Sequence, residues 1–510
     1  MTSTFHGIET AKRSLYAQRV GLNTLGHNIT NANTEGFSRQ RVTLTTARPI
    51  EAFGMNRSTA AGQLGTGVEA SAINRIRSAF LDEQFRGENK YLGNWQIRAE
   101  TLSKLETVVN EPSDTGIRTV LEKFWSSWSD LSKDPASATN REIVKQTALS
   151  LVDAFNQTST QLQNLSNDLT NTIDTKAQQA NTMLQSIADL NMQIKKLEGL
   201  GDNANDLRDQ RDLYTDQLSK LLNVTVTETE DGYSLMMGGT NLVEGTEVTE
   251  LTAAALTGAY ASGDLNNGEL FGTFVARDVN VNSYMNQLDT IARTMAEGNL
   301  QVTLPAGSMY NGTELTVDQV VTVKGINGLH KLGYTMETPA TMGLDFFTFD
   351  TNSGATGITA ASIRLNPAIV SDSNKVASSM RTAPNGTGIS VVQGNNTLAL
   401  LMSQLKDTNF SFDETAAGGA VTETTLGSFY NAMVGEIGIQ AQEANRQYYN
   451  ANTLVTQVGN SRQSVSGVSL DEEMSDMIMF QNAYNAAARF MTTVDELLEK
   501  LINGTGTVGR

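Results

Sequence analysis

Residues 8–29 read IETAKRSLYAQRVGLNTLGHNI, and Ile8, Leu15, Leu22 and Ile29 stand one heptad apart, with Ala11, Gln18 and Leu25 between them. Steps of three and four draw the apolar stripe of a helix at coiled-coil spacing. The stripe runs into an Asn-rich stretch, Asn28 to Gly36, whose asparagines and glycine tolerate the φ > 0 geometry of a reversal. The far end of the chain mirrors it. Residues 477–501 read MIMFQNAYNAAARFMTTVDELLEKL, and Met477, Phe480, Tyr484, Ala487, Met491, Val494, Leu498 and Leu501 keep the same alternation. Ser469 with Glu472 reads as a capping box, Asp471, Glu472 and Glu473 suit the positive end of the helix dipole, and Asn503-Gly504 supplies a stop.

Working inwards, Thr139 with Glu142 reads as another capping box. Phe155, Leu162, Leu165, Leu169, Ile173, Ala177, Ala180, Leu184, Ile187, Ile194 and Leu197 then recur at helical steps, predicting one or two very long helices broken near Gly199-Leu200-Gly201. Further helices are expected over Leu207 to Leu222, Tyr284 to Met295 and Phe429 to Val458. Strand signals are confined to the middle. Val224–Val226 and Tyr233–Leu235 flank Asp231-Gly232, a hairpin turn, and short alternating runs lie near Val302–Leu304, Leu315–Val323 and Asp345–Phe349. The fold class is therefore mainly α with a β-rich insertion. Its parts are terminal coiled-coil helices (1–64 plus 465–510), a long-helix bundle with a hairpin near 224–245 (65–299 plus 391–464) and an outer β domain (300–390, or from as early as 246). An insertion whose ends lie close together is expected to be removable without straining the bundle.

The chain has 510 residues, 37 Lys+Arg against 55 Asp+Glu, a net charge of −18 and no cysteine. That acidity opposes phosphate backbones, so no nucleic-acid partner is expected. Absent cysteine removes disulfides, thiolate metal sites and Cys nucleophiles. His6, His27 and His330 are too far apart for an HExxH-type site. No apolar run is long enough to span a membrane, and the first 30 residues lack the apolar core of a cleaved signal, so no membrane partner is expected. Residues 1–50 hold six basic and two acidic residues, while 465–510 hold three and seven. Opposite signs assist pairing of the ends, but exposed ion pairs contribute only about 0–1 kcal/mol each, so stripe burial has to dominate.

No motif in the sequence carries chemistry, and the expectation is no catalytic, cofactor or metal site and no enzymatic activity. Gly504-Thr-Gly506-Thr-Val-Gly509 has the GxGxxG form, but it follows a helix and reads as a tail. His27 and His330 read as turn histidines satisfied by backbone. The run Asn205 to Asp212, NDLRDQRD, reads as the solvated face of a helix start with Leu207 and Leu213 turned inward.

These residues resemble a known family. Residues 22–40, LNTLGHNITNANTEGFSRQ, are similar to the N-terminal signature of bacterial flagellar axial proteins, the rod, hook and hook-associated subunits. The Ser38-Arg39-Gln40 ending resembles the hook-associated protein 1 branch more than hook or rod members. Residues 466–474, SGVSLDEEM, with Phe480-Gln-Asn-Ala-Tyr484 and Thr493-Val-Asp-Glu496, resemble the C-terminal signature of the same branch. Asn205–Leu213, Gly238–Val243 and Asn327–Gly333 look like its internal landmarks. His27, Thr30 and Phe37 depart mildly from the family pattern.

The resemblance implies an extracellular structural subunit at the hook–filament junction, exported unfolded by the flagellar type III route without a cleaved signal peptide. It implies copies of itself in a ring as partners, hook protein below, hook-associated protein 3 above, and an export chaperone on the C-terminal segment before secretion. The residues expected to carry assembly are Ile8, Leu15, Leu22, Leu25 and Ile29 on the first helix, with Asn28, Asn31, Asn33, Thr34, Gly36, Phe37, Ser38, Arg39 and Gln40 in and after the turn. At the other end they are Leu470, Met477, Phe480, Tyr484, Met491, Val494, Leu498 and Leu501. Each terminal stripe, having nothing to bury against in a lone subunit, is expected to order only among neighbours, so that Leu498→Asp would break assembly and spare the monomer. The alternatives are another axial subunit (hook or distal rod), or a secreted enzyme or adhesin carried in the central insertion.

Overall fold

The computed structural model describes residues 5–49, 65–109, 116–229, 232–351, 354–386, 388–413 and 421–504. The Asp231 corner of the expected hairpin and the glycine tail beyond Gly504 lie outside them.

The chain opens with α1 (His6–Thr30), a ribbon of β1 (Gln40–Thr46) and β2 (Val68–Arg75), and three helices, α2 (Ala79–Val109), α3 (Ile117–Lys133) and the 61-residue α4 (Ala138–Glu198). Then come α5 (Asn205–Leu221) and a meander of β3 (Val224–Thr229), β4 (Gly232–Met237), β5 (Thr240–Glu244) and β6 (Glu247–Val248). Helices α6 (Ala253–Ser262) and α7 (Gly268–Phe274) lead through a π-helical turn, Val275–Val281, into α8 (Asn282–Glu297). The β-rich middle holds β7 (Asn299–Leu304), β8 (Met309–Tyr310), β9 (Thr313–Glu314), β10 (Gln319–Lys324), α9 (Gly325–Lys331), β11 (Phe347–Phe349) and β12 (Ile363–Leu365). It continues with α10 (Pro367–Ser371), β13 (Thr382–Asn385), β14 (Gly388–Val391), α11 (Thr397–Gln404), β15 (Phe410–Asp413) and β16 (Val421–Thr424). Two long helices close the chain, α12 (Leu426–Ser466) and α13 (Leu470–Gly504). The protein is mainly α with a β-rich middle.

The long helix is a single one, ending where Gly199–Gly201 turns the chain. Its stripe from Phe155 to Ile194 is buried throughout, but Leu197 is exposed, so the apolar period stops one step short of the expectation. The cap also differs. Ser137, not Thr139, accepts the Asn140 N–H, and Glu142 turns instead to Lys145 and Gln146.

The fold parts into two compact units, Met1–Asn94 with Asp174–Phe271 and Tyr449–Arg510, and Trp95–Ile173 with Gly272–Tyr448. In the first unit β3, β4, β5 and β6 pair in sequence order, with a register shift after Leu235. Tyr233, Leu235, Met237, Leu242 and Val243 form the buried side of this meander. Asn191 of α4 ties it down, donating to the carbonyls of Tyr233 and Gly245. Gly93 lets α2 come close to the end of α5, since a Cβ there would collide with the Lys220 carbonyl oxygen.

In the second unit the sheet order is β10-β7-β15-β16, all antiparallel. Leu300, Val302 and Leu304 alternate inward from β7, as a half-buried strand requires. They join Phe410 and Phe412 of β15 in one core with Phe124 and Trp128 of α3, Phe155 of α4 and Tyr430 and Met433 of α12. Residues 300–390 therefore share their core with the helices, and the sheet draws β15 from beyond residue 390. The expectation that this stretch can be cut out without strain is corrected on that ground.

His330 lies in this core beside Phe346, fully buried. Its Nδ1 bonds the Leu344 carbonyl at 2.6 Å, and its Nε2 accepts the Ala377 N–H at 3.0 Å. Burial pushes the imidazole down to about 4. It is satisfied by backbone as expected, but inside the core and not at a surface turn.

Candidate assembly site

Helices α1 and α13 lie antiparallel against each other. A Cβ on Gly7 would meet the Val494 side chain at 3.0 Å, a Cβ on Gly21 would meet the Phe480 ring at 2.5 Å, and Asn28 donates to Glu473 at 2.8 Å. The three contacts step by whole heptads in opposite directions along the two helices. Small residues on α1 let the bulkier side chains of α13 approach, with Ala11, Ala17, Thr24 and Leu25 buried alongside. The terminal stripes thus have each other to bury against within one chain, which corrects the expectation that each lacks a partner until neighbours arrive. The heptad row Ile8, Leu15, Leu22 and Ile29 lies one residue round the helix from this seam and stays half-exposed.

The signature after α1 is a clasp. Asn28 is fully buried, and its amide pairs with the Gln40 backbone in both directions, accepting N–H at 3.0 Å and donating to C=O at 2.9 Å. Its second amide proton goes to Glu473, itself buried, whose other oxygen takes Arg39 Nε at 2.6 Å. Arg39 also reaches Glu472 at 2.6 Å, and its N–H donates to the Ser466 carbonyl at the end of α12. Burial works against the Arg39 charge, but the hydrogen bonds and fields of Glu472 and Glu473 outweigh it and raise its pKa. Glu472 and Glu473 do more than complement a helix dipole, because they receive the turn.

The remaining turn residues divide by environment. Asn31 bonds back to the His27 carbonyl, and Thr34 bonds to Asn31, while Asn33 and Thr34 are exposed. Gly36 takes φ +81°, and a Cβ there would press on Leu213 at 3.0 Å, so this position needs glycine twice over. Phe37 stands edge-on to His27, whose Nε2 pairs with Asp206 at 3.2 Å. Ser38 N–H donates to Asp209 at 2.8 Å, and Gln40 Nε2 to Asp206 at 2.7 Å.

Asp209 belongs to a buried ionic cluster that reverses the solvated reading of Asn205–Asp212. On α5 it is Asp209, Asp212 and Asp216 that turn inward, whereas Leu207 and Leu213 are only half-buried. Arg75 meets Asp209 and Asp212 at 2.7 and 2.9 Å, Arg77 meets Asp82 at 2.6 Å, and Arg86 meets Asp216 at 2.7 Å, with Arg462 of α12 on Asp216 as well. Burial alone would raise the Asp212 carboxyl, but Arg77, Arg75, Arg86 and Arg211 together lower it. At Asp209 burial wins and the pKa is raised. Burial pushes the Tyr233 phenol, on the same cluster, up to about 12. The spacing of the three aspartates follows the helical period, so the signal was present. What misleads is its polarity, since acids on one face usually mean water.

On α13, Met477 and Phe480 are half-buried, and Met491, Val494 and Leu498 are half-buried on the face that meets α1. Leu498 shares the helix face of Val494 and is half-buried in the single chain, so the expectation that Leu498→Asp spares the monomer is corrected. Leu470 and Leu501 are exposed, and Tyr484 sits at the margin. A second stripe was missed. Met479, Ala483, Ala486 and Phe490 also follow three- and four-residue steps, with Leu497 a further heptad on, and Met479, Phe490 and Leu497 are 57%, 48% and 62% exposed. Two interleaved apolar periods on one helix leave it with two faces to cover, and α1 covers one. Among the described residues no cluster of metal-ligating side chains occurs, and no helix is long and apolar enough to cross a membrane.

Residues 102–302 match the family described as the flagellar hook-associated protein FlgK helical domain, and residues 460–504 match the C-terminal family of the flagellar basal body rod proteins FlgEFG. The chain is thus a structural protein of the bacterial flagellum. It is 34% identical over 540 residues, all of both chains, to flagellar hook-associated protein 1 of Bacillus subtilis (strain 168). It is 25% identical to the protein of that name from Escherichia coli (strain K12), covering 97% of this chain and 99% of the relative. On these matches the chain belongs to the flagellar hook-associated protein 1 family. The solved structure of the flagellar hook junction protein FlgK from Burkholderia pseudomallei shares its fold at a TM-score of 0.52 and 16% identity, over 75% of this chain and 100% of that one.

Proposed function

We propose that the protein joins hook to filament as a self-assembling subunit, with its N- and C-terminal helices as the working surfaces and no catalytic role. The observation that supports this most directly is the uncovered stripe of α13, Met479, Phe490 and Leu497. A contiguous apolar face of this kind, left open by the intrachain partner, is what an assembly interface needs. On this reading residues 1–64 and 465–510 act as the assembly domain and the rest of the chain as the body it carries. Copies stand in a ring with hook protein below and hook-associated protein 3 above. An export chaperone shields the C-terminal segment beforehand, and the protein works outside the cell after export without a cleaved signal.

The test is the pair Phe490→Asp and Leu497→Asp, which places two carboxylates on the open face without touching the α1 seam. Secretion and the melt of the purified subunit should be unchanged, while filament protein is shed unattached into the medium and motility is lost. Glu499→Gln should swim normally. Normal swimming by the double variant would remove the open stripe from the assembly mechanism.

A further inference from the structure

Among the described residues, strand β10 forms one edge of the sheet β10-β7-β15-β16, with β7 as its one neighbour. Folded proteins usually blunt such an edge with charged side chains, lysine above all, a proline, a bulge, an inward charge, a very short strand or a covering segment. Strand β10 carries one such device, Lys324 at its last position, and leaves Val320 open. It pairs with β7 over six consecutive residues, Gln319 to Lys324, without a register shift, and contains no proline. Val320 is 62% exposed, and Val317 just before the strand is 69% exposed. Val321 and Val323 turn into the core, so Val320, Thr322 and Lys324 share the outer face by alternation, and Asp318 immediately precedes the strand.

The order of residues along this edge is self-complementary. If a second copy is laid antiparallel about Val321, Asp318 stands opposite Lys324, Val320 opposite Thr322 and Gln319 opposite Val323, and the same pairs recur at the other end. Opposite charges and β-branched pairs are the favourable cross-strand combinations. The neighbouring registers that keep outer face with outer face set Lys324 against Val320 or Thr316, and Asp318 against Ile326 or Thr322, so neither pairs a charge. One Asp318 oxygen accepts the Ala306 N–H at 2.8 Å, and among the described residues the other has no partner.

We propose that β10 is a self-pairing edge through which two copies of the free protein join antiparallel about Val321, continuing the four-stranded sheet into its partner. The contact is isologous, with the same patch on both copies, and so is distinct from the head-to-tail contacts a ring requires. It does not depend on the junction reading.

The experiment is sedimentation velocity on the full chain from low to high micromolar concentration. The Phe490→Asp/Leu497→Asp background silences association through α13. A monomer–dimer equilibrium is expected. Lys324→Asp, which sets an acid against each Asp318, should weaken it about tenfold or more, and Val320→Lys should weaken it as well. The swap Asp318→Lys/Lys324→Asp should return the dimer to within about threefold of the parent, because both cross-strand pairs are rebuilt. A chain that stays monomeric throughout, or a dimer indifferent to Lys324→Asp and Val320→Lys, overturns the proposal. So does a swap variant that keeps the parental melt yet fails to recover dimerisation.

Discussion

Two glycines of α1, five residues apart, should respond to alanine with opposite signs. Both lie in the helix with ordinary backbone angles, so each exchange carries the same intrinsic gain of about 1 kcal/mol in helix propensity. A Cβ on Gly26 meets no heavy atom within 4 Å, and Gly26→Ala should keep nearly all of that gain. A Cβ on Gly21 would lie 2.5, 2.7 and 3.0 Å from three carbons of the Phe480 ring. Carbon contacts settle near ~3.5–4.0 Å, so the ring has to retreat by about 1 Å. Overpacking of this kind costs about 1–3 kcal/mol. Phe480 is half-exposed and can swing part of the way out, which points to the lower half of that range. The net expectation is that Gly26→Ala tightens the α1–α13 pair by somewhat under 1 kcal/mol while Gly21→Ala loosens it by about 1 kcal/mol. Amide hydrogen exchange along α1 is the proper readout, because it reports the opening of this pair and not the unfolding of the whole chain. Protection should rise several-fold in one variant and fall several-fold in the other. In a Phe480→Ala background the obstacle is gone, and Gly21→Ala should change sign and become stabilising. If Gly21→Ala raises protection with Phe480 in place, the antiparallel register is wrong.

The buried His330 makes the second unit acid-sensitive, because an unfolded imidazole binds a proton below its ordinary 6.5 while the folded one does not until about 4. Stability is therefore full above pH 6.5 and falls as the pH drops toward about 4, by about 3 kcal/mol over the whole interval. Denaturant melts between pH 6.5 and about 5, above the carboxylate range, should show this slope, and His330→Gln should flatten it. Replacing residues 300–390 with a short Gly/Ser linker should abolish the cooperative fold of the second unit. The cut removes Leu300, Val302, Leu304, Phe346, Phe347 and Ile363 among other buried side chains, each worth about 1.5–3 kcal/mol, against a total stability of about 5–15 kcal/mol. A shortened chain that still melts cooperatively, with native-like near-ultraviolet dichroism, would show that the core is not shared.

Much of the helical framework is legible along the chain. The repeats behind α1, α4, α12 and α13 are local, since neighbours on a helix face are three or four residues apart and the period survives without knowledge of the partner. The break at Gly199–Gly201 and the acidic start of α13 are equally local. The clasp was half-legible. Asn28, Ser38, Arg39 and Gln40 stood out in the N-terminal signature, but their partners sit up to 445 residues away.

Where the partner lies far off, the pattern alone leaves the answer open. Asp209, Asp212 and Asp216 look like a wet face until Arg75 of β2, Arg77 of the link after it, Arg86 of α2 and Arg462 of α12 arrive to neutralise them. The pairing of β7 with β10 is near in the chain, but that with β15 spans more than 100 residues and depends on a core assembled from both sides of the insertion. Helix α13 carries two apolar stripes in its sequence. Which one turns inward is set by where α1 offers Gly7 and Gly21, because only an absent side chain lets a phenyl ring or an isopropyl group close on the backbone. The linear pattern could say that this helix had faces to bury, whereas the choice between them came from shape complementarity across nearly the whole length of the chain.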